Sequence, residues 1–406
     1  MPKTVVIVGA LDTKGEEFAF IKKLIEDEGL NTLVVDFGVM GEPAFEPDIS
    51  HNEVAQAGGG DLAFLASGEH KDQAMKTMAN GLAQIVRRLY YEQNRLDGII
   101  GMGGSGGTSI ATTAMRVLPV GVPKVMVSTV GGGDVSAYTG TKDIVFIPSI
   151  VDVAGINRIS RAIYANAAGA IAGMVKMELP PAKAEKPLVV ASMFGNTTKC
   201  VDMARKVVED AGYEVLVFHA TGAGGRTMES LIQDGYIVAA MDITTTELAD
   251  EVCGGVFSAG PERCMAASRA GIPAVLSPGC VDMANFGGMD TVPEKYLHRN
   301  LYEWNPNVTL MRTNVEENIR MGKMIAAAAN AATAPVAILL PLKGVSMLDS
   351  PGGKFWDPEA DQACYQTIKD QVKPGVKVIE VDHNINDPEF AQLVANTLLE
   401  LIKAGK

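Results

Sequence analysis

Ile99-Ile-Gly101-Met-Gly103-Gly104-Ser105-Gly106-Gly107-Thr108-Ser109 is the stretch that decides the architecture of this chain. An apolar run leads into it and a helical pattern, Ser109–Leu118, leads out. A strand that glycines turn into a helix is the repeating joint of parallel α/β sheets. At such a joint, successive N–H groups and the helix dipole converge on an anion. Glycine there removes the Cβ that would hold a phosphate away. A packing turn needs one or two glycines, whereas this segment has Gly101, Gly103, Gly104, Gly106 and Gly107. Gly103, Gly104, Ser105, Gly106, Gly107 and Thr108 are therefore expected to hold a phosphorylated ligand, with Ser105 and Thr108 adding hydroxyls.

The segment also fits GxGxxG through Gly101, Gly103 and Gly106. A dinucleotide site further requires an acidic residue about 20 positions on, at the end of the next strand. That strand reads Lys124-Val-Met-Val-Ser128-Thr129 and has no carboxylate. No Lys-Ser/Thr pair follows the glycines, so the P-loop pattern is absent too.

Outward from this joint the pattern repeats. Strand-like Val5–Gly9 precedes a helical Glu16–Glu28, and Leu33–Asp36, Gly98–Gly101, Lys124–Ser128 and Ile144–Pro148 read as further strands. Lys71–Asn94 is a long helix. In the helix Ala162–Val175, the Ala165, Gly169 and Gly173 stripe predicts close packing on the sheet or on a second subunit. A second glycine cluster, Ser128-Thr129-Val-Gly131-Gly132-Gly133-Asp134, ends the neighbouring strand and should face the same crevice. Thr129, Gly131, Gly132 and Gly133 join the phosphate candidates, and Asp134 is a candidate metal ligand or helix cap. The first strand runs into Asp12-Thr13-Lys14. Asp12 suits a metal or ribose hydroxyl and Lys14 a phosphate, with helix capping by Asp12 or Thr13 as the structural alternative.

Pro and charge in Glu178–Pro187 mark a linker, and the pattern then restarts. Ile25-Glu-Asp-Glu-Gly-Leu-Asn-Thr-Leu-Val-Val is echoed by Val208-Glu-Asp-Ala-Gly-Tyr-Glu-Val-Leu-Val-Phe. The fold expected is two Rossmann-like α/β domains, residues 1–180 and 187–406, each a mostly parallel sheet with helices on both faces, with duplication or two merely similar folds as the readings of the echo. In the second, Val238–Met241, Ala274–Leu276, Val308–Met311, Val336–Pro341 and Val376–Val381 read as strands. Ser277–Trp304 reads as a long aperiodic segment. Thr221-Gly-Ala-Gly224-Gly225-Arg226 repeats the anion-ready joint, with Thr221, Gly224, Gly225 and Arg226 as ligand contacts. Lys343, Cys280, Asp282 and His383 all follow strand ends and are the catalytic candidates.

Composition narrows the partners. A chain of 406 residues is too long for one core. A net charge of −13 disfavours nucleic acid and anionic membrane, so a phosphate must be held locally by backbone N–H groups and a metal ion. The five cysteines form no CxxC pair and fit reduced thiols in a cytoplasmic protein. No apolar run is long enough for a signal peptide or a membrane span.

Taken in order, Gly9-Ala-Leu-Asp-Thr-Lys-Gly15, Gly101–Thr108, Ser128–Asp134, Thr221–Gly225, Ser277-Pro-Gly-Cys-Val-Asp-Met-Ala-Asn285 and Pro341-Leu-Lys-Gly-Val-Ser346 resemble the UPF0261 family, whose N-terminal half is a Tm-1-like ATP-binding domain. The resemblance spans nearly the whole chain. It implies ATP with Mg²⁺ and a homodimer, and supplies no reaction. The expectation is an ATP-binding protein acting on a small-molecule substrate in the cleft between two domains. A non-catalytic nucleotide sensor stays open, and the formal GxGxxG keeps an NAD-dependent oxidoreductase open.

Overall fold

Four consecutive apolar residues, Val5 to Val8, are fully buried in the first strand, β1 (Thr4–Gly9). Val6 and Val8 point to one core, and Val5 and Ile7 to another. A strand buried on both faces must lie inside a sheet covered on both sides by helices. Each such side chain contributes roughly 1.5–3 kcal/mol by leaving water. The computed structural model describes residues 2–66, 71–178 and 185–405. The chain forms two compact units, Met1–Pro181 and Ala182–Lys406. Most of the predicted linker, residues 179–184, lies outside the described residues.

In unit 1, β1 is followed by α1 (Leu11–Asp27), β2 (Asn31–Asp36), α2 (His51–Ala57), α3 (Leu62–Leu65) and α4 (Lys71–Tyr91). Then come β3 (Gly98–Gly103), α5 (Ser105–Met115), β4 (Lys124–Ser128), α6 (Ser136–Thr139), β5 (Val145–Pro148) and α7 (Arg158–Lys176). The strands are parallel in the order β2-β1-β3-β4-β5. The order reverses beside β1, so the carboxyl ends of β1 and β3 form the switch point where ligands enter such sheets. Two details differ from the expectation. Helix α5 begins at Ser105, so Ser105 to Thr108 are its first turn and not loop. The Gly169 and Gly173 face of α7 does not pack on this sheet, since a Cβ at either position would meet nothing within 4 Å.

Unit 2 opens with β6 (Leu188–Met193), α8 (Thr198–Asp210), β7 (Glu214–His219), α9 (Ala223–Gln233), β8 (Ile237–Thr244), α10 (Thr246–Cys253) and α11 (Ala266–Ala270). It continues with β9 (Ala274–Gly279), β10 (Met283–Phe286), β11 (Leu301–Asn305), β12 (Val308–Arg312) and α12 (Val315–Asn330). It closes with β13 (Val336–Pro341), α13 (Pro358–Gln371), β14 (Lys377–Val381) and α14 (Pro388–Ala404). Its main sheet is parallel in the order β14-β13-β9-β8-β6-β7. Read from β7, that is the order of unit 1 with one strand added. The Val308–Met311 strand is not in this sheet. It is β12, the middle of a small antiparallel sheet β10-β12-β11. The Ser277–Trp304 segment therefore carries β10 and most of β11, and is not structureless.

Candidate functional site

The cavity of unit 1 lies at its switch point. About 520 Å³ is enclosed at the carboxyl ends of β1, β2 and β3. Phe37, Val39, Met40, Met75, Met78 and Ile110 make an apolar wall, and Gly103, Gly106 and Gly107 line the opposite side. The Ser105, Gly106 and Gly107 N–H groups begin α5 and have no acceptor among the described residues. The Ser105 hydroxyl is exposed beside them.

A Cβ added to each glycine shows why it is glycine. At Gly101 it would meet Ala111 Cβ at 3.0 Å, and at Gly103 the Gly107 Cα at 3.1 Å, so these two are packing positions. At Gly104 the nearest atom is 3.7 Å away, at Gly106 3.4 Å and at Gly107 3.6 Å. None of these three has positive φ. Neither packing nor backbone conformation requires glycine there; what glycine leaves is open backbone beside the cavity.

The first turn of α1 forms the cavity's polar side. Asp12 Oδ2 accepts from the N–H groups of Met40 at 2.7 Å and Gly41 at 3.2 Å, while its buried Oδ1 has no partner. Gly38 makes room, since a Cβ there would lie 2.6 Å from the Asp12 carboxylate. Lys14 leaves helical geometry, at φ −137° and ψ 26°, and its ammonium donates to the Val153 carbonyl. Thr13 is exposed. Asp36, at the end of β2, escaped the sequence reading as a site residue. Its Oδ1 accepts from Leu11 N at 3.0 Å and Gly38 N at 2.9 Å, clamping the turn that carries Asp12. Its Oδ2 lies 3.3 Å from His51 Nδ1, and burial raises its pKa above the usual carboxylate range. The available signal was an acid at the end of the strand after β1, not after β3.

Other candidates in unit 1 are placed less favourably. The Thr108 side chain is buried against β4, 2.7 Å from the Ser128 hydroxyl, and faces away from the cavity. Thr129 is exposed near Gly104, and its N–H donates to Gly103 O. Gly131 and Gly133 donate to Ser128 and Val130 in tight turns, and Gly132 faces open space. The Asp134 carboxylate accepts from Ser136 N at 2.9 Å, a local turn ahead of α6, whose N-cap is Val135. No group of three or more His, Cys, Asp or Glu residues that could hold a metal occurs among the described residues.

The Thr221–Arg226 joint of unit 2 corrects the expectation of a second phosphate seat. Its anion is already present. Glu247 Oε1 accepts from Gly222 N at 2.7 Å and Gly225 N at 3.1 Å. A Cβ at Gly225 would lie 2.3 Å from that carboxylate, and one at Gly224 would lie 1.8 Å from His219 O. Arg263, fully buried, completes the charge balance through Glu247 at 2.5 Å, Asp242 at 2.7 Å and Glu229 at 3.3 Å. Thr221 donates to its own loop, at His219 O, and Arg226 is turned to Ser258 O.

The catalytic candidates separate. Cys280 has φ +58° and is buried, and burial pushes its thiol well above the ordinary range. Asp282 is buried, accepts from the Ser346 hydroxyl at 2.8 Å, and is pushed up to about 7 by burial and by Asp349. Neither has an open face for a ligand. Arg312 sits among these acids and bonds Asp361 at 2.7 Å. Lys343 and His383, by contrast, are half-exposed on neighbouring loops.

Fold and cavity together define a class: an α/β protein whose first unit has an open switch-point crevice floored by unrestrained glycines. The chain belongs to the Uncharacterised protein family (UPF0261), matching its N-terminal domain over residues 3–180 and its C-terminal domain over residues 186–402. A UPF0261 protein of Clostridium tetani is 53% identical over 99% of this chain and 100% of its own. The ToMV resistance protein Tm-1(GCR237) of Solanum lycopersicum is 44% identical over 81% of this chain but only 44% of its own length. Among solved structures, a UDP-GlcNAc 2-epimerase from Neisseria meningitidis aligns with 68% of this chain and 82% of its own at 8% identity and a TM-score of 0.24. A likeness that slight says nothing about ligand. No helix among the described residues is long and apolar enough to cross a membrane.

Proposed function

We propose that unit 1 is an ATP-binding module, serving an enzyme that acts on a small metabolite. The observation that supports it most is the pair Gly106 and Gly107, which line the cavity and which neither packing nor backbone conformation requires to be glycine. In this reading the phosphates lie on the N–H groups that open α5, where the helix dipole assists. The base lies against the Phe37, Met40, Met75 and Met78 wall, since methionine adapts to flat aromatic surfaces. Mg²⁺ fits as a companion of the phosphates, because such ions take one or two carboxylates plus phosphate oxygens. Asp12 would hold it, through the oxygen that lacks a partner. When bound, the ion neutralises phosphate charge in this acidic chain.

Calorimetry with ATP and Mg²⁺ tests the proposal. Gly106→Val should weaken binding at least about tenfold, near 1.4 kcal/mol, and leave the unfolding midpoint unchanged. Its Cβ would touch only the flexible end of Met75. Unchanged affinity would return these glycines to a packing role.

A further inference from the structure

A second cavity, of about 370 Å³, lies in unit 2 outside the network around Arg263. Lys199, Lys343, Ser346, Ser350, Asn384 and Asn386 line it, and only Met347 and Pro351 are apolar. The volume is that of a small-molecule site, typically about 300–1,000 Å³. It is more than a lone inorganic ion fills.

Fixed loops build the cavity. Asn384 Nδ2 donates to the carbonyls of Lys343 at 3.0 Å, Ser346 at 3.2 Å and Asp349 at 3.1 Å. Asn386 Nδ2 donates to Asn196 O at 2.9 Å, and Met347 N reaches the same carbonyl at 3.1 Å. The loops after β6, β13 and β14 are thereby tied into one rim. Gly344, at φ +107°, lets the β13 loop turn tightly, since a Cβ there would lie 1.8 Å from Asp349 O.

The rim carries two lysines. Lys199 has no acceptor or ion-pair partner among the described residues and sits in the first turn of α8, beside an N-cap, Thr197, whose side chain makes no cap bond. Lys343 pairs at 3.1 Å with Asp382, whose side chain is 78% exposed, and such a pair is weak enough to be displaced. Asp387 is the single carboxylate of the lining, and its Oδ2 accepts from Asn384 N at 2.8 Å. Two ammonium groups thus line the cavity with Asp387, and Asp382 stands beside Lys343, in a chain of net charge −13.

We infer that this cavity is a binding site for a small organic anion, a carboxylate or a phosphate ester, held by Lys199 and Lys343. Asp387 is placed to accept a hydroxyl or ammonium hydrogen from the same molecule.

Titration of the full chain with inorganic phosphate and, separately, with succinate tests the inference. The probes distinguish the two headgroups, and binding of either in the millimolar range is the expected result. Lys199→Met and Lys343→Met should each weaken it several-fold, and together at least about tenfold. Both side chains are exposed or half-exposed, so the thermal midpoint should not move. Lys343→Arg should keep most of the affinity. Gly106→Val should leave succinate binding unchanged, which separates this site from the nucleotide cavity, whose proposed phosphate seat would also take inorganic phosphate. Absence of binding by both probes at concentrations on the order of 10 mM overturns the inference. So does equal affinity in the double variant, or loss of succinate binding in Gly106→Val alone.

Discussion

In unit 1 the strand beside the switch point, β3, runs into Gly103-Gly104 and then α5. In unit 2 the strand at the same place in the order, β8, runs into Thr244-Thr245 and then α10. The first joint leaves a cavity of about 520 Å³ beside free N–H groups. The second is sealed by its own hydroxyls: Thr197 to Thr244 at 2.8 Å, Thr245 to Ser277 O at 3.1 Å and Thr246 to Met283 O at 3.0 Å. From that sealed joint Glu247 reaches the one anion-ready helix start nearby, that of α9. One strand order thus supports an open crevice and an occupied one. Glycine content did not distinguish the starts of α5 and α9; what a Cβ would meet did.

The largest break in the comparison should come from Arg263→Met. It strands Glu247, Asp242 and Glu229 without their cation, and breaking a buried ion network costs about 3–5 kcal/mol. Urea unfolding should show that loss in the cooperative transition, while ATP binding by folded protein persists. Full stability in this variant would mean the α9 joint does not depend on its internal anion. Gly225→Ala comes next, at about 1–3 kcal/mol, because its methyl would intrude on Glu247. Gly107→Ala, on the open joint of unit 1, should stay within about 0.5 kcal/mol in stability and weaken only ATP affinity. Equal destabilisation by the two alanines would erase the contrast.

Between these in size lies a pH effect. Burial raises Asp361 to about 8 and Asp282 to about 7, with Asp349 raising both. Their native pKa values exceed the unfolded value, so the stability they contribute is complete below about pH 4 and lost as pH rises toward 8. Asp361→Asn keeps an oxygen for Arg312 and should flatten thermal unfolding curves between pH 5 and 8 by on the order of 1 kcal/mol. An unchanged slope would place the proton elsewhere.

Much of the parallel architecture was legible in the residues. Apolar runs located β1, β3 and β4, and the Ile25 and Val208 segments each end a helix and lead into a strand, α1 into β2 and α8 into β7. The antiparallel sheet was not, because β10, Met283–Phe286, follows β9 after only three residues. The candidate site was half legible. Asp12, Lys14 and the Gly103–Gly107 run were visible as motif, and Asp12, Lys14, Gly103, Gly106 and Gly107 line one cavity. Its Phe37 and Met40 wall comes from an irregular segment with no period to read. Glu247 was invisible as the occupant of the α9 joint because it lies 22 residues beyond Gly225, on another helix. No local pattern announces such a partner.

The unencumbered glycines of α5 carry a consequence for the living cell. On the proposed function, a side chain at Gly106 or Gly107 would leave the protein as abundant and as resistant to proteolysis as before, with only nucleotide binding lost. At Gly224 or Gly225 a similar change would surface first as lost protein. Phenotypes from the two joints would therefore part company: lost binding at one, shortage at the other. Measuring protein level beside phenotype would tell which of the two had been struck.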